Sequence, residues 1–467
     1  MRAKFFSLGV IILYLGSCTM APSYSRPEAP VPQQWPSGTA YDAPADPLAL
    51  PADQMAWRDL IADGRMQKVI DMALQNNRDL RIASLNVERA RALYGVQRAS
   101  LLPAVNASGS WYKKHTPADL SFTGREATSE QYGVDLGIAS WEIDFFGRIR
   151  SLKDAALSQY LATEQARLSA QIFLVSATAQ AYLTLAADRE SLHLVASTLE
   201  AQKATYNLIR KRYDAGVASE LDLRRAQSLM EAARGDVARY TQIVAQDENA
   251  LNLIAGSPVP PELLPAALDG VIPPKTVSPG LNSETLLNRP DILAAEHRLK
   301  AANANIGAAR AAFFPRIALT TSFGTASADL SGLFKSGSGT WTFAPFISLP
   351  VFDARTWSAY KVTQVEKDLA VAQYEKVIQS AFREVADALA ARGAINGRIE
   401  AQQSLVDALA EAYRLADLRY EKGLDSYLGV LDAQRSLYGA SQGLVGLRLA
   451  KTLNLVSMYS VLGGGAH

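Results

Sequence analysis

Arg212-Tyr213-Asp214-Ala215-Gly216-Val217-Ala218-Ser219-Glu220-Leu221 and Arg419-Tyr420-Glu421-Lys422-Gly423-Leu424-Asp425-Ser426-Tyr427-Leu428 are two versions of one passage, followed in turn by Ala226-Gln227 and Ala433-Gln434. Gly216 and Gly423 suit the left-handed residue that ends a helix, and Ser219 and Ser426 suit the cap of a helix that starts again. Each passage is therefore the tip of a helical hairpin.

The segments leading into the tips say how long those helices are. Leu161, Leu168, Val175 and Tyr182 stand seven apart, and a second line continues through Leu185, Leu192, Leu199, Tyr206 and Tyr213. Before the other tip, Val371, Ile378, Val385, Ile399, Val406, Tyr413 and Tyr420 keep one seven-residue register, broken only by Arg392. No proline interrupts either segment. A sustained heptad marks supercoiled helices, and roughly 60 residues at 1.5 Å each reach about 90 Å.

Upstream of each long helix the period changes from helical to two. Val105, Ala107, Gly109 and Trp111 alternate with small or polar residues, as do Tyr132, Val134, Leu136 and Ile138 with Gly133, Asp135 and Gly137. After Pro315 the same happens at Ile317, Leu319, Thr321 and Phe323, then at Trp341, Phe343, Ile347 and Leu349. Four strands in two hairpins are predicted. Asp79, Gly95, Arg98, Ala99 and Pro103 match Asp291, Gly307, Arg310, Ala311 and Pro315 at a constant offset, so the chain is an internal duplication: helix, two strands, long helix, return helix, twice. Before the first strands a helical pattern runs through Val69, Met72, Leu74, Leu80, Leu85, Val87 and Leu93. Such an extended unit has little to bury within one chain and requires partners.

The N-terminus places the chain in the cell envelope. Arg2 and Lys4 precede an apolar run from Phe5 to Leu15, of signal-peptide length, which stops at Leu15-Gly16-Ser17-Cys18. That passage resembles a bacterial lipobox, in which Cys18 becomes the lipid-bearing N-terminus. It is the sole cysteine, so no internal disulfide can form. Thr19 follows in place of the aspartate that retains lipoproteins at the inner membrane. The next segment is rich in proline and reads as an extended, draped tether. The expected organisation is a signal peptide at residues 1–17, a lipidated tether at 18–56, a first repeat at 57–256 with strands about 104–114 and 131–143, a linker at 257–285, and a second repeat at 286–462 with strands about 316–325 and 340–349.

The 47 basic and 46 acidic residues leave a net charge of +1, which argues against nucleic-acid binding through bulk charge. His115, His193, His297 and His467 show no ligand spacing, and no nucleophile elbow or phosphate-cradling loop occurs in a suitable context. No metal, cofactor or catalytic site is expected.

The lipobox, the tether, the duplicated plan, Phe145-Phe146-Gly147-Arg148 after the second strand, and the tip followed by Leu431-Asp432-Ala433-Gln434 together resemble the TolC/OprM-type outer-membrane factors, from Cys18 to about Leu462. The resemblance implies a mainly α chain with a membrane β-barrel: a homotrimer whose twelve strands close in outer-membrane lipid and continue as a helical periplasmic tube. It implies a passive exit duct served by a periplasmic adaptor protein and an inner-membrane pump of the RND type. A type I secretion duct and a periplasmic coiled-coil scaffold lipoprotein are the alternatives. It further implies a periplasmic gate near the second tip, with Leu428 and Asp432 at the constriction and Tyr420 and Asp222 matching locking contacts. Asp425 stands where that pattern has an arginine tie and Gly429 where it has a second acidic ring, so Arg435 is a candidate partner in a different lock. The plainer reading of Asp432 and Arg435 is an exposed pair at i and i+3.

Overall fold

The computed structural model describes residues 19–41, 55–280 and 282–465. The expected signal peptide, Cys18 and part of the tether lie outside the described residues. Two copies of one element series follow each other. Helix α1 (Gly64–Asn76) precedes the first, which comprises α2 (Arg78–Ala99), β1 (Val105–Thr116), β2 (Ala127–Glu142), α3 (Arg148–Asp214) and α4 (Glu220–Ala255). The second comprises α5 (Pro290–Ala311), β3 (Arg316–Ser327), β4 (Gly339–Ser348), α6 (Ala354–Glu421) and α7 (Tyr427–Val461). Corresponding helices agree closely in length: 22 residues in both α2 and α5, 67 in α3 against 68 in α6, 36 in α4 against 35 in α7.

The described residues divide into two compact units, each drawing on both repeats: residues 19–28, 86–164 and 294–374 form one, and residues 29–41, 55–85, 165–280, 282–293 and 375–465 the other. In the first unit the strands make a single antiparallel sheet in the order β1-β2-β3-β4. The register sorts its side chains. Val105, Trp111, Tyr132, Val134, Leu136, Ile138, Trp141, Ile317, Leu319, Phe323, Trp341, Phe343 and Ile347 share one face; Ser108, Ser110, Gly133, Asp135, Gly137, Ser322, Gly324 and Thr342 form the middle of the other, with Tyr112 and Phe346 towards its two ends. A bulge between Ile138 and Trp141 keeps Trp141 on the apolar face. A Cβ on Gly137 would lie 2.5 Å from the Thr321 carbonyl, and one on Gly324 2.2 Å from that of Val134. Glycine is therefore required on the small, polar face, where neighbouring backbones crowd together.

The first hairpin reaches further than its alternation suggests. β2 begins at Ala127, and His115 bonds Thr128 while Lys113 pairs with Glu130. Residues 113–116 and 128–130 are polar on both faces, so no period-two apolar signal marks them. The strand-to-helix corner beyond β2 is fixed by Asp144, whose carboxylate accepts from the Ile149 and Arg150 amides (3.1 and 2.8 Å), and by Phe146 stacked on Phe314 at 4.9 Å. Asp353 receives the Arg355 amide (3.0 Å) before α6 in the same way.

The tether is extended as expected, but it is also pinned. In the first unit Arg310 donates to the Met20 carbonyl (3.3 Å), Asn303 to that of Pro22 (2.8 Å), and Arg26 and Tyr24 to Glu296 (2.5 and 3.2 Å). Burial works against the Glu296 carboxylate, yet Arg26 and Lys300 outweigh it and hold the group below the usual carboxylate range. In the second unit Ser283 donates to the Pro32 carbonyl (2.6 Å) and Trp35 stacks on Phe382 at 5.4 Å. The single helical pattern read before the strands is broken at Asn77, whose backbone is extended and whose side chain donates to the Ile254 carbonyl (2.9 Å) while accepting from the Leu80 amide.

The heptad register of α6 is covered throughout, from Val371, Ile378 and Val385 to Tyr420. A second seam three residues on, Tyr374, Ala381, Ala388 and Ile395, is buried beside it. Arg392, the break in the register, donates to the Val277 carbonyl of the linker at 3.0 Å.

Candidate functional site

At the tips the sequence identity becomes an identity of backbone. Gly216 and Gly423 take φ of 76° and 73°, the Gly216 and Gly423 amides donate to the Tyr213 and Tyr420 carbonyls (both 2.9 Å), and the Val217 and Leu424 amides to those of Arg212 and Arg419 (both 2.9 Å). This six-to-one closure satisfies the carbonyls left over at a helix end. Ser219 caps α4 by accepting the Asp222 amide (3.1 Å), whereas Ser426 occupies the cap position of α7 with no side-chain cap bond.

The two hairpins of the second unit meet in an apolar cluster of Ile209, Ala226, Tyr427, Val430 and Leu431, bordered by Tyr206, Leu223, Tyr413 and Tyr420. Burial pushes the Tyr427 hydroxyl up to about 12. Tyr420 packs on Tyr427 at 4.9 Å and its hydroxyl accepts a bond from the Arg212 guanidinium (2.7 Å), which also lies over the ring at 5.1 Å. Asp222, expected from the resemblance to match a locking contact, is engaged locally within the protomer: Ser219 donates to it at 2.6 Å and Arg225 stands 3.8 Å away. Within the protomer the tie across the hairpins is thus Arg212 to Tyr420.

Asp425 is bridged by Arg419 through two bonds of 2.5 and 3.1 Å, which hold its carboxyl below the usual range. Asp432 accepts from Arg435 at 3.1 Å as an exposed i, i+3 pair, and Leu428 is 49% exposed. Arg212 and Arg419 were not singled out from sequence. Their signal was available, since each opens the repeated passage and Arg419 sits six residues before an aspartate across a tight turn.

The four-stranded sheet with segregated faces and the paired helical hairpins of more than 30 residues per arm define a membrane-channel class in which barrel and coiled helices are one chain. The match with the family model for outer membrane efflux proteins covers residues 69–257 and 281–464, and the chain belongs to that family. The toluene efflux pump outer membrane protein TtgC of Pseudomonas putida is 46% identical over 467 residues, spanning 100% of this chain and 96% of its own length. OprJ of Pseudomonas aeruginosa is 43% identical over 470 residues, spanning 100% and 97%. The open-state MtrE channel of Neisseria gonorrhoeae superposes with a TM-score of 0.86 at 39% identity, covering 96% of this chain and 99% of that one. The protein is therefore an outer-membrane efflux channel. Of the three readings left by the sequence, the efflux duct stands above the secretion duct and the scaffold.

Proposed function

We propose that three copies of this chain close a twelve-stranded barrel and serve as the exit duct of a tripartite pump, conducting solutes passively while an inner-membrane pump of the RND type supplies energy through a periplasmic adaptor. The observation that carries this is the sheet itself. Its edge strands, β1 and β4, are long and unpaired on their outer sides, and one face is largely apolar while the other is small and polar in its central rungs. An open edge of that kind needs a neighbour, and about twelve strands enclose a water-filled lumen where four cannot. From Tyr132 to Trp141 the strand advances nine positions, one of them absorbed by the bulge. At about 3.4 Å per step and a tilt near 40°, that is about 20 Å of height between aromatic residues, close to the apolar band of a bacterial barrel. Helix α2 has no buried residue, and its Ile82, Leu85, Leu93 and Val96 are exposed, as neighbours in a trimer would require.

The adaptor reading is supported by the tips, where Val217 and Leu424 are 74% and 63% exposed at equivalent positions. Lipidation at Cys18 is supported by the anchoring of the residues after it: Thr19, Met20 and Ala21 line a groove of about 630 Å³ with Phe313, Trp357 and Tyr360. The relative named for toluene efflux points to apolar solvents as cargo, with the choice made largely by the pump. For the gate, three copies of Leu428 and Asp432 would converge on the axis, an apolar ring and an acidic one that favours cations.

Planar-bilayer recording tests the whole. Purified trimers should conduct, and Leu428→Ala with Asp432→Ala should raise single-channel conductance and lower cation preference at equal trimer yield. A non-conducting monomer would overturn the duct; unchanged conductance and selectivity in the double variant would leave Asp432 a surface pair with Arg435. Radiolabelled palmitate should appear on the mature chain and vanish in Cys18→Ala.

A further inference from the structure

The small, polar face of the sheet carries one charge in its central rungs. Asp135 lies in the row Ser108, Asp135, Gly324, Thr340, between Gly133 and Gly137 on its own strand. The other charged residues of this face stand at its ends: Lys114 at one, and at the other Glu142, which is bound by Arg148 (2.7 Å) and Arg316 (3.2 Å). No cation pairs with Asp135 among the described residues. Three of its neighbours on this face, Gly133, Gly137 and Gly324, have no side chain. A Cβ on Gly324 would come within 2.6 Å of its Oδ1, and one on Gly133 within 3.8 Å of its Oδ2 and 3.0 Å of the Ser110 hydroxyl. Glycine at these positions leaves the half-buried carboxylate without a flanking side chain that could neutralise it.

We infer that Asp135 sets the charge preference of the outer-membrane end of the duct, as a ring of three carboxylates at mid-height of the barrel lumen, separate from any selection at the helical tips. The inference rests on the trimeric barrel reading. Twelve strands about 4.8 Å apart and tilted near 40° give a radius of about 12 Å, so three inward carboxylates stand about 15 Å from one another. That separation decides the behaviour. Screening lengths are about 8 Å at 0.15 M salt and about 30 Å at 0.01 M, so the three fields overlap only in dilute salt and act singly under physiological conditions. The ring should enrich organic and inorganic cations relative to anions in a strongly salt-dependent way.

A cysteine at Ser108, the residue directly opposite Asp135, provides a reporter that works whether or not the helical end is open. In the trimer carrying Ser108→Cys, membrane-impermeant cationic and anionic methanethiosulfonates are applied from outside and their rates compared, with Val134→Cys as the lipid-face control. At 10 mM salt the cationic reagent should react faster, the ratio should fall roughly threefold or more in Asp135→Asn and invert in Asp135→Lys, and these differences should collapse at 1 M salt. A ratio unmoved by Asp135→Asn at 10 mM, with Ser108→Cys reactive and Val134→Cys protected, overturns the inference and leaves the barrel intact. Protection of Ser108→Cys with labelling of Val134→Cys would show the faces reversed and remove both. Trimer yield on native gels checks each variant, and Ser322→Cys on the same face is the reporter if Ser108→Cys fails to assemble.

Discussion

The two hairpin tips have the same backbone but give their equivalent arginines different partners, and one substituted position separates them. Arg212 and Arg419 occupy equivalent positions, but Ala218 in the first tip stands where Asp425 stands in the second. With a carboxylate in its own turn, Arg419 closes on Asp425. With alanine at that position, Arg212 reaches out to Tyr420 of the other hairpin. A duplicated passage has thus diverged into one tip that binds itself and one that binds its neighbour.

The largest expected effect comes from removing what the two tips share. Tyr427, 6% exposed, fills the cluster between the hairpins, and Tyr427→Ala should cost about 3 kcal/mol, seen as a lower melting temperature and faster proteolysis at the tips. If melting is unmoved, the hairpins are held by contacts elsewhere. Next in size, Ala218→Asp gives the first tip the carboxylate of the second and should draw Arg212 away from Tyr420. The loss is about 1 kcal/mol, the net of a charge-assisted bond broken and an exposed pair gained. A Tyr420→Phe background should abolish that loss; if it does not, Arg212 does not act through the hydroxyl.

Capping gives a smaller contrast. Ser219→Ala should cost about 1 kcal/mol and Ser426→Ala only a few tenths, because only Ser219 accepts an amide at its helix start. Equal losses in urea melts would refute the asymmetry. The smallest effect is the pH dependence of the second tip. Asp425 has a folded pKa lowered by Arg419, so its contribution is present above the unfolded value near 3.9 and disappears as pH falls through the lower, folded value. Protease resistance of that tip should therefore weaken in wild type below about pH 4 while Asp425→Asn stays flat. Parallel curves would mean the fully exposed pair contributes nothing measurable.

Much of this was written locally. Heptads, turn glycines and period-two strands are near-neighbour patterns set by helix pitch and strand pleat, so α3, α6, the tips and the faces of β2 could be read directly. The ends of the first hairpin could not, because Lys113 and Glu130 continue the ladder where both faces are polar. Nor could the break at Asn77, which depends on the Ile254 carbonyl far along the chain. The second seam of α6 was hidden for a related reason: Ala381 and Ala388 are too small to register as hydrophobic signals, although they are buried.

The sequence by itself determined the duplication, the helix lengths, the membrane-type sheet and the position of each tip, because those follow from repeats and periods within a few residues. Only the tertiary structure decided which groups hold one another. Arg212 on Tyr420, Arg419 on Asp425, Arg392 on the linker and Arg26 on Glu296 share one kind of flexible cation, and composition cannot say where it will reach. Its partner is whichever acceptor the packed backbone brings within about 3 Å, and that distance exists only after folding.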